Sequence, residues 1–589
     1  MSPAVPAPGQ GADNFYHPDS EAQLIALVKL ASEKGVQLRV RGSTHSVGHV
    51  IYTDPLNNVD NRVGVQAPPD GDGINVMLDR YRGVRVLDRA RRIVEVDAGT
   101  HIGEDPSDPT GTADCKSSLL GQIWARGWML SNLGGITHQT ISGFIATGSS
   151  GGSVRYSAND DLIGIRYIDA EGGVHVVDRE RDPDEFRALC PNLGLLGVVS
   201  TVTLKCVKAF NVTGQEAITT PEDCAIDLFG DGAPGRPSLA RFLKNADYAR
   251  IEWWPQRGAE RVEVWQAQRI PPQPGFKPTR YHQFTSEPAV AEPLISIVYS
   301  ILGNLADLSH AKPQLETALK DRQAAEVGAR EMRQAGFAEE DIFSLFIGTA
   351  LEHGVDAALQ AIQPLANPTK EALPRAFPAL LEFFVTLDAD KQGDEQGEPQ
   401  SFRDWGWRGL PMDNEASDTL LPTGFTELWV PLVRATDAMR LLRDYFASAS
   451  SDEEAYERTG IFGWELYAAK PNAFWLNASH TSGEDQWRDG VLRIDPFWFA
   501  ANPGDPTESF YPQLWELFRD SDIPFRLHWG KYQPKCSAQK PGWPEYFSRQ
   551  YPQWERFLDL RRIRDPAGTF LTSYWRDRLG LWTEPSGRT

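Results

Sequence analysis

The chain has 589 residues, too many for one hydrophobic core, and the usual domain size of about 100 to 200 residues points to two large domains. Its 41% hydrophobic and 24% charged residues are those of an ordinary soluble globular protein. With 80 acidic against 59 basic side chains the net charge is -21, which argues against nucleic acid or an anionic membrane as partner, since both require a basic patch.

The N-terminus "MSPAVPAPGQGADNFYHPDS" has neither a basic start nor an apolar run, so no cleaved signal is expected and the chain is placed in the cytoplasm. From Ser20 the pattern turns helical. Ser20 with Gln23 fits a capping box, Leu24, Leu27, Val28 and Ala31 form one face, and Gly35 is a stop. "VQLRVRG" alternates as a strand, which makes "GSTHSVGH" a strand-end loop whose small residues allow a ligand to approach the backbone. A second strand, "RRIVEVDAGT", precedes an expected helix, "LGQIWARGWMLSNLGG", and then a long loop, "NLGGITHQTISGFIATGSSGGS", with six glycines among hydroxyl residues. "LIGIRYIDAEGGVHVVD" reads as a hairpin turning at Glu171 to Gly173, and "LGLLGVVSTVTLKCVKAF" closes the first unit with strand.

Beyond about residue 210 aromatic-rich strands dominate: "ARIEWWPQ", "RVEVWQAQRI", "FTELWVPL", "GWELYAA" and "VLRIDPFWF". A helical insertion at about 289–366 interrupts them. Its run "PLISIVYSILGNLADL" is broken by Gly303 and Asn304 and falls short of the roughly 20 residues that span a bilayer. The acidic stretch "LDADKQGDEQGEPQ" reads as a solvated loop. Cys115, Cys190, Cys206, Cys224 and Cys536 show no metal-type or disulfide spacing and are expected to be mostly buried free thiols.

Glycine-rich loops with free N–H groups form nests for phosphate oxygens, and two of them in one unit suggest a ligand with more than one phosphate. Neither is a P-loop or a dinucleotide GxGxxG in a βαβ unit, which disfavours a nucleoside triphosphate or a Rossmann-bound nicotinamide. "RVRGSTHS" and "GGITHQTISGFIATGSSGG", followed by "NLGLLGVVSTVTLKC", resemble the FAD-binding domain of the vanillyl-alcohol-oxidase superfamily. "TELWVP", "RLHWGK" and "RRIRDPAGTFLTSY" are similar to its aldonolactone oxidase and alditol oxidase branch.

The resemblance implies an α+β architecture. A PCMH-type FAD-binding domain of two subdomains covers 1–210, a substrate domain with a large antiparallel sheet covers 211–554, and a C-terminal segment, 555–589, returns to the FAD domain. It also implies FAD held by the first loop (Arg41, Gly42, Ser43, Thr44, Ser46) and the second (Gly134, Gly135, Thr140, Ser142, Gly143, Thr147, Gly148, Ser149, Gly151), with Val198 from "LGVVS". His45 matches the residue bonded covalently to the flavin, His49 being unattached, and Gly134 matches a position where larger residues obstruct oxygen. The second loop lacks the histidine of a GTHG-like segment, having Gly148, Ser149, Ser150 and Gly151 instead.

On the substrate side, the resemblance implies that Lys531 falls near flavin N1, where an ammonium stabilises the reduced ring. His528 either donates to the ring or braces its loop. "GWELYAA" keeps the glutamate of a Glu-x-Arg pair as Glu465 but has Tyr467 for the arginine, both on one face of a strand. The base is Asp495, whose aromatic neighbours would raise its pKa, or Glu465. The implied reaction oxidises a CH–OH carbon of a sugar lactone, polyol or related alcohol by hydride transfer to flavin N5, with oxygen reduced to peroxide and no metal. A bulkier apolar alcohol, or an acceptor other than oxygen, is the alternative.

Overall fold

The structure is a computed structural model, and it describes residues 5–55, 68, 70–258, 260–279, 357, 399–411, 423–460, 463–499 and 504–584. The expected helical insertion, apart from residue 357, and nearly all of the acidic stretch lie outside the described residues.

Helix α1 (Glu21–Lys34) buries Leu24, Leu27, Val28 and Ala31, and Gly35 ends it in the left-handed region at φ 66°. The Ser20 side chain makes no capping bond. Gln23 Oε1 instead accepts from the backbone N–H of Asp19, so the reciprocal half of the expected box is displaced by one residue. Strand β1 (Leu38–Arg41) pairs in parallel with β2 (Ile74–Met77). The second subdomain is a five-stranded antiparallel sheet of β3 (Val84–Asp88), β4 (Ile93–Asp97), β5 (Leu162–Ile168), β6 (Val174–Asp178) and β7 (Val198–Lys205), in the order β3-β4-β7-β5-β6. The turn between β5 and β6 falls where the sequence puts it, with Gly172 at φ 79°.

Two local expectations need correcting. The helix expected over "LGQIWARGWMLSNLGG" stops at Trp124, and Trp128–Met129 pairs as a short strand with Val207–Lys208. The long loop contains helix α2 (Ile141–Thr147), which packs on Ile141, Phe144 and Ile145. Its N-cap is Thr140, whose hydroxyl accepts from Gly143 N, and its C-cap is Gly148 at φ 74°. Glycine and β-branched residues hide this helix from propensity, although its buried positions carry helical spacing.

The second unit is a nine-stranded sheet. Its strands are β8 (Asn211–Thr219), β9 (Tyr248–Trp254), β10 (Arg261–Ile270), β11 (Gln400–Trp405), β12 (Thr423–Phe425), β13 (Leu428–Pro431), β14 (Trp464–Ala469), β15 (Val491–Phe499) and β16 (Arg526–Leu527). The order is β11-β8-β10-β9-β14-β15-β13-β16, with β12 also on β15. All six residues of β14 are buried, because both faces are covered. On one face Trp464 and Trp253 pack edge-on against Phe446 of the helix Ala435–Ala447. On the other, Glu465 and Tyr467 look toward the glycine loop. The end of the chain docks on the first subdomain: Leu38 N donates to Thr569 O, and buried Arg39 donates to Phe570 O and to the carbonyls of Leu193 and Gly194.

Four of the five cysteines are buried and all are free; Cys115 is exposed. Among the described residues no helix is long and apolar enough to cross a membrane, and no three His, Cys, Asp or Glu side chains cluster as a metal site.

Candidate active site

Strand β1 delivers the first loop into contact with both the second loop and the "HWGK" segment. Gly42 has no room for a side chain, since a Cβ there would lie 2.6 Å from Thr140 Oγ1. Arg41 Nε donates to the Gly42 carbonyl at 2.7 Å, Thr44 Oγ1 donates to Ser43 O, and Thr44 sits at φ 65°. Val47 N donates to Gly530 O, and Gly530 abuts Ser46 so closely that a Cβ would come 2.8 Å from its Oγ.

Lys531, 8% exposed, donates its ammonium to the carbonyl of His45 at 2.7 Å and lies 3.9 Å from the centre of the Phe425 ring. The His45 ring lies 5.4 Å from that of His138. Burial, then the nearby His138 and Lys531, push the His45 imidazole well below its ordinary pKa, so it is neutral. His49 points elsewhere and stacks on Tyr574.

His528 is held within its own segment. Its Nδ1 accepts from Gly530 N at 3.1 Å, which leaves the proton on Nε2, 3.5 Å from Ser149 Oγ. Burial lowers its pKa to about 4.

The second loop begins at Ser131, whose N–H and hydroxyl both donate to buried Asp161 at 2.6 Å. A Cβ on Gly134 would lie 2.9 Å from Ile136 O, and one on Gly151 only 1.8 Å from Leu133 O. The hydroxyls expected to hold the cofactor differ in their contacts. Thr140 caps α2, and Ser142 donates to Ala98 O, so both are occupied in holding the helix; Thr147 and Ser149 lie 3.3 Å apart at its far end. Gly135 is half-buried, and Val198 is a core residue opening β7. Past Ser149 the loop docks on the large sheet, where Ala249 N donates to Gly152 O and Arg493 donates to Ser150 O at 2.8 Å.

The sheet presents a two-row ladder to that loop. Antiparallel registration puts Arg250, Tyr467, Arg493 and Trp429 side by side across four strands, and Glu252, Glu465 and Asp495 side by side in the next row. Glu465 accepts from Tyr467 OH at 2.8 Å and from Arg250 at 3.3 Å. The Arg493 guanidinium lies between the Trp429 and Tyr467 rings, 4.9 and 4.7 Å from their centres, and one of its nitrogens is shared by Glu427 at 3.0 Å and Asp495 at 3.2 Å.

Burial opposes ionisation of Glu427, but Arg493, with His528 and Lys531 behind it, holds the carboxyl below its usual range. Asp495 goes the other way. Burial and then the Glu427 charge raise it well above the ordinary carboxylate range, against the pull of Arg493. Its Oδ1 is buried and has no hydrogen-bond partner among the described residues, a situation that costs about 1 to 3 kcal/mol.

The expected residues Lys531, His45, Glu465, Tyr467, Asp495 and His528 therefore converge. Sequence reading misses Glu427, Arg250 and Trp429, and treats the arginine of Glu-x-Arg as lost. Arg493 stands directly opposite Tyr467 and puts a guanidinium beside it. The one available signal was the charge of Glu427 inside the apolar strand "TELWVP". Two glycine-containing loops, a neutral imidazole at their junction and a fixed ammonium on its carbonyl fit a flavin dinucleotide, with Gly42 and Gly151 leaving the backbone bare.

The fold is the PCMH-type FAD-binding fold with a large antiparallel sheet, shared with cholesterol oxidase from Brevibacterium sterolicum (TM-score 0.59, 15% identity, covering 96% of this chain and 93% of that one). By sequence the chain is similar to D-arabinono-1,4-lactone oxidase of Eremothecium gossypii, 28% identical over 207 residues, or 35% of this chain and 33% of that one. It is also similar to L-gulonolactone oxidase of Mus musculus (23% over 257 residues, 44% and 48%) and to a putative D-arabinono-1,4-lactone oxidase of Neurospora crassa (24% over 429 residues, 69% and 64%). The matches thus span between a third and about two thirds of these curated relatives' lengths. No protein-family model matches the chain.

Proposed function

We propose that this protein is an FAD-dependent oxidase acting on a CH–OH carbon of a sugar lactone, polyol or related alcohol, with oxygen as the electron acceptor. The observation that carries the reading is the Lys531 ammonium bonded to the His45 carbonyl, which joins the "HWGK" segment to the first glycine loop. The names of the sequence relatives support the lactone. FAD, held by the loops at 42–46 and 134–151, supplies the hydride acceptor and the reaction with oxygen.

The chain's own residues do the rest. Asp495 Oδ1 takes the hydroxyl proton, its raised pKa suiting a base that must recover a proton near neutrality. Glu465 is held by Arg250 and Tyr467 to orient the substrate, and Lys531 keeps a positive charge where reduction places a negative one. Neutral His45 is the tether for the flavin 8-methyl carbon, and Gly134 leaves oxygen's approach open. The loss of arginine at Tyr467 would favour a bulkier apolar alcohol, but Arg493 opposite it restores a cation to the site.

Acid precipitation tests the reading. Yellow colour is expected in the pellet, lost in His45→Ala and retained in His49→Ala, with peroxide formed from a lactone or polyol in air. Colour in the supernatant removes the covalent link and keeps FAD. Slow reoxidation of the reduced flavin in air reassigns the acceptor, and a colourless protein overturns the whole reading.

A further inference from the structure

Each of the two partners in the shared Arg493–Asp495 contact keeps one polar atom in reserve. Arg493 uses one terminal nitrogen on Ser150 O and the other on Glu427 and Asp495, while its Nε is buried with no hydrogen-bond partner among the described residues. Asp495 uses Oδ2 on Arg493, while Oδ1 is buried in the same condition. Arg493 is 7% exposed and Asp495 1%. The two lie two residues apart on one face of β15, so that face carries a donor and an acceptor with no partner among the described residues. A hydroxyl, which accepts one hydrogen bond and donates another, matches that pair; a carboxylate or an ether satisfies one half only.

The surrounding charge decides what kind of molecule carries the hydroxyl. Arg250, Arg493 and Lys531 face Glu252, Glu465, Glu427 and Asp495, three cations against four carboxyl groups, which leaves no positive surplus for an anion. The Trp429 and Tyr467 rings hold the guanidinium flat and prevent it from swinging out to meet one.

Resting on the oxidase reading above, we propose that Arg493 is a substrate-binding residue whose Nε–H, together with Asp495 Oδ1, clamps the hydroxyl of an uncharged substrate that is to be oxidised. The clamp performs the service for which the arginine missing at Tyr467 would otherwise be needed, from the neighbouring strand. It selects a ring-closed lactone or neutral polyol over the corresponding open-chain sugar acid.

The experiment is anaerobic stopped-flow reduction of the enzyme-bound flavin by D-arabinono-1,4-lactone and by L-gulono-1,4-lactone, each paired with its open-chain carboxylate, in native protein and in Arg493→Lys and Arg493→Gln. Lysine keeps a cation for Glu427 but has no Nε–H at that place. The expected result is a Kd for the lactone raised about 10- to 100-fold in Arg493→Lys, with flavin content retained and the limiting reduction rate less affected. In native protein the carboxylate should bind at least about tenfold more weakly than its lactone. A Kd in Arg493→Lys within about twofold of native, with flavin retained, overturns the clamp and leaves the oxidase reading standing. If Arg493→Lys loses its flavin, Arg493→Gln and the native lactone-to-carboxylate ratio decide, and equal affinity for the two forms overturns the proposal. A native protein whose flavin is reduced by neither lactone overturns the lactone half of the substrate reading, and the selection of a lactone by the clamp with it.

Discussion

Asp495 is a carboxyl group taken out of water, set beside another carboxylate and given half a guanidinium in compensation. Only its ionised form can accept a proton, so the rate of flavin reduction should climb as pH rises through its raised pKa and then level off. Asp495→Asn should flatten that limb and lower the limiting rate by about 10²- to 10⁴-fold with flavin content intact, as read by anaerobic stopped flow over a pH series. Glu427→Gln should move the limb without abolishing it. Removing the neighbouring negative charge, and releasing Arg493 to Asp495 alone, both favour the Asp495 carboxylate, so the limb should shift to lower pH. Glu427 and Arg250 escaped the sequence reading because their roles come from cross-strand registration, a property of which strand lies beside which. Lys531, His45 and Glu465 were legible because each sits inside a short stretch that carries its own pattern.

At the scale of the element, the second loop is two structures joined. Helix α2 is capped by Thr140 and stopped by Gly148, and the segment after it runs bare along Leu133 and onto the sheet. Its six glycines read in sequence as uniform looseness, yet they do different things. Gly143 lies inside the helix and Gly148 ends it, while Gly151 admits a backbone carbonyl into the space of a side chain. Gly151→Ala places a methyl 1.8 Å from Leu133 O, so the loop must shift. The expected outcome is a folded protein with native far-ultraviolet circular dichroism and most of its flavin lost, measured as the ratio of absorbance at the flavin band to that of protein. The strands of the large sheet were easier to foresee, since β-branched and aromatic residues mark each of them. The reverse holds for the order in which they lie.

For the molecule as a whole, the buried Asp161 couples stability to pH. Burial lifts it from 3.8 to about 7, against the pull of the two bonds from Ser131. The folded state then binds more protons than the unfolded state between those values, so stability falls as pH rises from about 4 to about 7 and is flat above, a change of roughly 4 kcal/mol. Asp161→Asn removes the titration while keeping a side chain that can pair with Ser131. It should melt higher than the native protein at pH 8, by a margin that closes toward pH 4.5, as followed by thermal unfolding at several pH values. A variant that melts lower at both pH values refutes the assignment. Nothing in the run "SANDDL" distinguishes Asp161 from its exposed neighbour Asp160, because burial is a consequence of the assembled fold.

The contact between Lys531 and His45 spans 486 positions of sequence, and β1 waits for Thr569 and Phe570 to complete its surroundings. A ribosome adding about 5 to 20 residues each second needs roughly 25 to 100 s to travel from the first glycine loop to the lysine that fastens it. Throughout that interval the emerging loop has no ammonium and no C-terminal segment to hold it. Firm loading of a cofactor held by that loop is therefore expected only after Lys531 has emerged, and a pulse of flavin starvation late in synthesis should leave more apoprotein than an early one.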